Sequence, residues 1–159
     1  MKHPLKSLII TIVLTTSALA ADNHGGHDKE IPGPNGGRIV EIQNGHAEFV
    51  VGADKKVTVR FFDDDMKPVE PNAQIVEVIA EAPSGRMKLD FEKTTDAFVS
   101  KGALPEGDGY RIVLQIRPEE SGKVQNSRID YHTEVCGTCK RAEYACICSN
   151  DEKGGGHGH

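Results

Sequence analysis

Excess positive charge is what this chain of 159 residues most plainly lacks: 19 Lys and Arg face 24 Asp and Glu, a formal net charge of −5. A nucleic-acid binder would show a basic footprint, and none is present. Tryptophan is absent and aromatic residues make up only 5%. No window carries the apolar period of an amphipathic helix, and no internal repeat is found, so neither a helix bundle nor a repeat array is indicated. There is no G-x-S-x-G, no H-E-x-x-H and no phosphate-binding glycine loop. The glycine-rich stretch at 33–37 contains Pro34 and leads into a strand rather than a helix, so it reads as a turn, and nothing in the sequence indicates an enzyme. What is present is 37% apolar residues, enough for a core, with 17 Gly and 8 Pro to punctuate it. That combination excludes wholesale disorder and favours many short strands.

The N-terminus has the order of a secretory signal. Lys2 and Lys6 form a basic start, residues 8–14 an apolar stretch too short to span a bilayer, and Ala18-Leu19-Ala20 a small-residue cleavage site. The sequence therefore predicts a signal peptide over 1–20, cleavage after Ala20, and a periplasmic or secreted protein with no membrane span once cleaved. No Cys follows the apolar stretch, which argues against lipid attachment. Residues 21–35 hold His, Gly, Pro and charges with almost nothing apolar, and 149–159 end in Gly and His. Neither segment can offset its own ordering entropy, so both are expected to be flexible.

Between them the apolar period is two. Ala47, Phe49 and Val51 alternate with His46, Glu48 and Val50. Val57, Val59 and Phe61 alternate with Thr58, Arg60 and Phe62. Met87, Leu89 and Phe91 alternate with Arg86, Lys88 and Asp90, and Tyr110, Ile112, Leu114 and Ile116 with Arg111, Val113, Gln115 and Arg117. Alternation puts the first-named set of each run on a core and the second in water. Further runs at 37–43, 74–81, 97–101 and 125–132 bring the total to about eight strands. Turn chemistry at Asn44-Gly45, Gly52-Ala53-Asp54, Pro83-Ser84-Gly85 and 105–109 recurs at intervals near ten residues. The expected fold is all-β: an immunoglobulin-like antiparallel β-sandwich over 36–132, a short Cys-rich C-terminal segment over 133–148, and flexible termini.

The stretch Gly33-Pro34-Asn35-Gly36-Gly37-Arg38, then Asn44 to Val50, then Val57 to Phe62 with Asp63-Asp64-Asp65-Met66-Lys67-Pro68-Val69, carries a resemblance. Over roughly residues 33–82 it resembles the small periplasmic β-domain associated with heavy-metal efflux adaptors and the YtkA-like exported sandwiches. In those families a strand, an Asp-rich turn and Lys-Pro-Val recur, usually with Gly where this chain has Met66. The adaptors' long helical hairpin has no counterpart here. The resemblance implies an exported sandwich near metal handling, with a periplasmic efflux or delivery protein as partner. It transfers no site residue.

The strongest chemical signal is Cys136-Gly137-Thr138-Cys139 followed by Cys146-Ile147-Cys148, which together hold all four cysteines. A C-x-x-C can fold as a tight knuckle with both sulfurs inward, and an extended C-x-C puts both side chains on one face. Residues 140–145 are long enough to turn back, so four thiolates could converge on one Zn²⁺ or Cu⁺. An exported protein meets oxidants, so two disulfides are the competing reading; bridges between the two pairs are then favoured, because a C-x-C ring is small and strained. A thiol oxidoreductase is a third, but its motif belongs at the start of a helix in a βαβ context that is missing here.

His132, four residues before Cys136, is a further candidate ligand, or a solvent-facing residue at a strand end. His24 and His27 in the N-terminal arm, and His157 and His159 in the tail, could capture metal ions weakly. Cleavage after Ala21 would place His24 third, where a free amine and imidazole suit square-planar Cu²⁺ or Ni²⁺. Asp63-Asp64-Asp65 lacks EF-hand spacing and reads as a hairpin turn. The leading expectation is thus an exported, non-enzymatic metal-binding sandwich that buffers, senses or delivers Zn or Cu. A disulfide-closed interaction module is the alternative.

Overall fold

A computed structural model describes residues 31–148. The signal-like segment, the arm up to residue 30 and the tail from residue 149, with His24, His27, His157 and His159, lie outside the described residues.

Among the described residues ten strands form, in the order β1 (Arg38–Ile42), β2 (Gly45–Val51), β3 (Lys56–Phe62), β4 (Pro68–Val69), β5 (Ile75–Ala82), β6 (Gly85–Leu89), β7 (Phe91–Lys93), β8 (Phe98–Ala103), β9 (Tyr110–Arg117) and β10 (Gln125–Tyr131), followed by one 3-10 turn at Glu143–Ala145. They build two antiparallel sheets. One has the order β1-β2-β3-β8-β7 with β4 paired to β3, and the other has the order β10-β9-β5-β6. The all-β antiparallel sandwich expected from the alternation is what forms.

Hairpin geometry follows the turn residues. Asn44 (φ 66°) and Gly45 (φ 130°) close β1 onto β2 in the left-handed conformations that this dipeptide tolerates. Asp63 closes the β3–β4 turn with its own carboxylate, whose Oδ1 accepts the N–H groups of Asp65 (3.0 Å) and Lys67 (2.9 Å). That Asx turn accounts for the aspartate run without an ion.

Ala47, Phe49, Val57, Val59 and Phe61 of the larger sheet pack with Val76, Val78, Ala80, Ile112, Leu114, Ile116, Ile129 and Tyr131 of the smaller in one core cluster. Four parts of the expected pattern are overturned, the first being Phe62, expected in water but only 4% exposed. The run at 86–91 is not one strand: β6 pairs with β5 and β7 with β8, so the chain changes sheets at Asp90. On β6, the edge strand of its sheet, the opposite layer covers Leu89 (4% exposed) and leaves Met87 outside (42%). Glu48, expected in water, is fully buried.

The last correction has a local cause. Residues 33–37 fold over the outer face of β2, and Glu48 ties them down. Its Oε1 accepts the backbone N–H groups of Asn35 (2.8 Å) and Gly37 (3.0 Å), and its Oε2 accepts Asn35 Nδ2 (2.7 Å). A carboxylate so supplied with donors tolerates burial. The turn needs glycine for space, since a Cβ at Gly37 would run into the Phe49 carbonyl and one at Gly33 into the Glu48 carboxylate. Residues 32–35, expected to belong to a flexible arm, are therefore held in place, and Pro32 already bridges Arg38.

Candidate metal centre

The chain leaves β10 at Tyr131 and immediately folds back on itself. Val135 bridges Ala142 in antiparallel fashion, with Glu143 N–H donating to Glu134 O (2.8 Å) and Cys136 N–H to Arg141 O (2.7 Å). These bonds frame a miniature hairpin whose tip is Gly137 to Lys140. Lys140 N–H returns to Cys136 O (3.0 Å), and Lys140 itself sits at φ 60°. The left-handed residue straight after the second cysteine makes the tip tight enough to draw Cys136 and Cys139 together. The 3-10 turn at 143–145 then reverses the chain, and Cys146, in extended conformation (φ −66°, ψ 136°), carries the second pair back toward the first.

All four sulfurs come within 4.8 Å of one another. Cys136 Sγ lies 3.7 Å from Cys148 Sγ, and Cys139 Sγ 3.7 Å from Cys146 Sγ. A tetrahedron with Zn–S bonds of about 2.3 Å has S···S edges of about 3.8 Å. The donor set thus has the size and the chemistry for a single tetrahedral thiophilic ion, and among the described residues it is the only group of His, Cys, Asp or Glu arranged to hold a metal. All four are free thiols rather than disulfides.

Backbone donors point at these sulfurs. Burial raises the Cys139 thiol, but the N–H groups of Ile147 and Arg141 and the side chains of Cys136 and Cys146 outweigh it and hold it down to about 6. Burial pushes Cys148 up to about 12, with the sulfurs of Cys146, Cys136 and Cys139 adding to the effect. Burial likewise raises Cys146, although Cys148 N–H donates to its sulfur at 3.4 Å. Crowded thiolates repel, so without a cation the negative charge settles on Cys139. A divalent ion would remove that repulsion and deprotonate its ligands.

The segment is anchored on the sandwich at three places. Tyr144 is buried between the layers: its ring stands 6.0 Å from Phe49 of β2 and 5.6 Å from Tyr131 of β10, and its hydroxyl accepts Val51 N–H (3.0 Å). Tyr144 N–H donates to His132 O (3.0 Å). Arg141 Nη2 donates to Gly33 O (3.1 Å), joining the cysteine hairpin to the turn that Glu48 holds.

The placement of the candidate ligands is therefore mixed. Cys136, Cys139, Cys146 and Cys148 converge. His132 does not join them. Its Nδ1 lies 3.3 Å from Asp108 Oδ2, and Thr133 fixes that carboxylate through its N–H (2.7 Å) and hydroxyl (2.8 Å). The imidazole is drawn to a strand-end acid rather than to the sulfurs. Tyr144 and Arg141 escaped the sequence reading; an aromatic residue inside an otherwise polar Cys-rich tail was the available signal for Tyr144, and Arg141 had none. No family model, curated protein or solved structure matches this chain.

Proposed function

We propose that this protein is an exported, non-enzymatic β-sandwich that binds one Zn²⁺ through Cys136, Cys139, Cys146 and Cys148, and that it buffers, senses or delivers that ion. The observation that carries the reading is the convergence of four sulfurs within 4.8 Å, with the closest pairs at 3.7 Å. Four thiolates in a tetrahedron favour Zn²⁺ over the hard cations, and Cu⁺ is the other ion that so soft a donor set would take. The signal-like N-terminus supports export, and the resemblance over 33–82 supports a place beside heavy-metal efflux.

Two features suit metal traffic. The site is formed by a short segment rather than by the sandwich core, so its occupancy can change without unfolding the sheets. Cys139 and Cys148 are partly exposed while Cys136 and Cys146 are buried, so the ion is approachable from one side. Native mass spectrometry with metal analysis on the cysteine-reduced protein tests the reading. About one equivalent of Zn or Cu is expected, and none in a variant with all four cysteines replaced by Ser. A reduced protein that takes up neither ion overturns it.

A further inference from the structure

The two short sulfur contacts have a common asymmetry. Cys136 is buried and its close neighbour Cys148 is partly exposed; Cys146 is buried and its close neighbour Cys139 is partly exposed. Each pair thus combines a partly exposed cysteine with a buried one. Both pairs also link the hairpin tip to the C-x-C segment.

We propose that the centre reacts with small soluble disulfides of the oxidised-glutathione class, giving up its metal and closing as two crossed disulfides, Cys136–Cys148 and Cys139–Cys146. The metal release rests on the metal-binding reading above; the sulfur pairing does not. In the first half-reaction the partly exposed Cys139 thiolate attacks one sulfur of the reagent, whose S–S bond breaks and expels one small thiolate. The buried Cys146 thiolate then attacks the Cys139 sulfur of the mixed disulfide, forming the protein bridge and expelling the second small thiolate. Cys148 and Cys136 repeat the sequence. Two reagent disulfides are reduced to four small thiolates, four protein thiolates are oxidised to two bridges, and one divalent ion is released, so charge and electrons balance.

Geometry selects this pairing over the others. A C-x-C bridge closes a small strained ring. In the tip, the Cys139 sulfur is already served by the backbone N–H groups of Ile147 and Arg141. The pairs at 3.7 Å need the least movement to reach bonding distance. Crossed bridges also keep the hairpin closed on the C-x-C segment, so Tyr144 stays between the layers after the metal has gone.

The test uses the full chain loaded with Zn²⁺ and treated with oxidised glutathione. A chromogenic chelator follows release, intact mass follows the loss of about four hydrogens, and peptide fragmentation reads the connectivity. Expected are release of the ion and the two crossed bridges. In Cys136→Ser a glutathione adduct should persist on Cys148, and in Cys146→Ser on Cys139. A Cys136–Cys139 bridge, an adduct on a buried sulfur, or an ion retained through oxidation would overturn the proposal. Failure of the reduced chain to load any metal is a separate result that overturns the metal-binding reading, and the same map on that protein still decides the pairing.

Discussion

The ring of Tyr144 meets that of Phe49 edge-on, with centroids 6.0 Å apart and planes at 89°. Through this contact a segment that owns almost no core borrows one. Tyr144 lies between Phe49 in one sheet and Tyr131 in the other, and Tyr131 continues to Tyr110 at 5.0 Å, so all three tyrosines of the protein stand in one row. The cysteine segment is thereby anchored in the sandwich core.

Replacing Tyr144 tests that anchorage. Tyr144→Ala removes a ring held on both sides and should cost about 3–5 kcal/mol in urea unfolding. Tyr144→Phe keeps the ring and loses only the acceptor of Val51 N–H, at about 1 kcal/mol. If the two variants proved equally mild, the ring would not be part of the core.

Metal removal should loosen the same segment. Chelation of the reduced protein is expected to lower the thermal midpoint and to speed tryptic cleavage after Lys140 and Arg141, while strands β2, β3, β5 and β9 keep their hydrogen-exchange protection. Uniform loss of protection across both sheets would contradict an independently folded sandwich.

Metal affinity should rise with pH. Cys139, at about 6, is already a thiolate near neutrality, whereas Cys146 is raised and Cys148 stands at about 12, so those two must surrender protons when the ion binds. Competition against a chelator of known affinity between about pH 6 and about pH 8 should show tighter binding at the higher pH, with proton release on loading. A pH-independent affinity would mean that these thiols are not the ligands.

Glu48 gives a prediction that separates hydrogen bonding from charge. In Glu48→Gln the amide oxygen can keep the N–H groups of Asn35 and Gly37, and Asn35 can rotate its amide to face the new NH₂, so the cost should stay near 1 kcal/mol. Glu48→Leu leaves those donors without an acceptor and should cost about 3 kcal/mol or more. Denaturant unfolding of both variants distinguishes the two outcomes.

Asp108 contributes acid sensitivity. The Thr133 hydroxyl and N–H hold its carboxyl below the usual 3.8, against a smaller opposing effect of burial and with added help from His132. A folded value below the unfolded one means stability that is present above 3.8 and lost as pH falls through the lowered value. Asp108→Asn should therefore differ from the parent at neutral pH and converge with it in strong acid, as read by urea midpoints.

Strand after strand was legible along the chain because period-two alternation is a local property. Val57, Val59 and Phe61, and Ile112, Leu114 and Ile116, are buried as the pattern demands, and Asn44-Gly45 closes its hairpin from its own backbone preferences. The cysteines, too, announced themselves by spacing. Other features depended on what lay across the molecule. Glu48 reads as an outward residue until the turn at 33–37 folds over it, and Met87 reads as inward until β6 takes the edge of its sheet. His132 stood close enough to Cys136 in the chain to be a ligand, yet Asp108 claims it. Tertiary structure alone could bring Tyr144 between Phe49 and Tyr131 and carry Arg141 to Gly33, because hydrogen-bond and ring partners many residues away leave no period in a linear sequence.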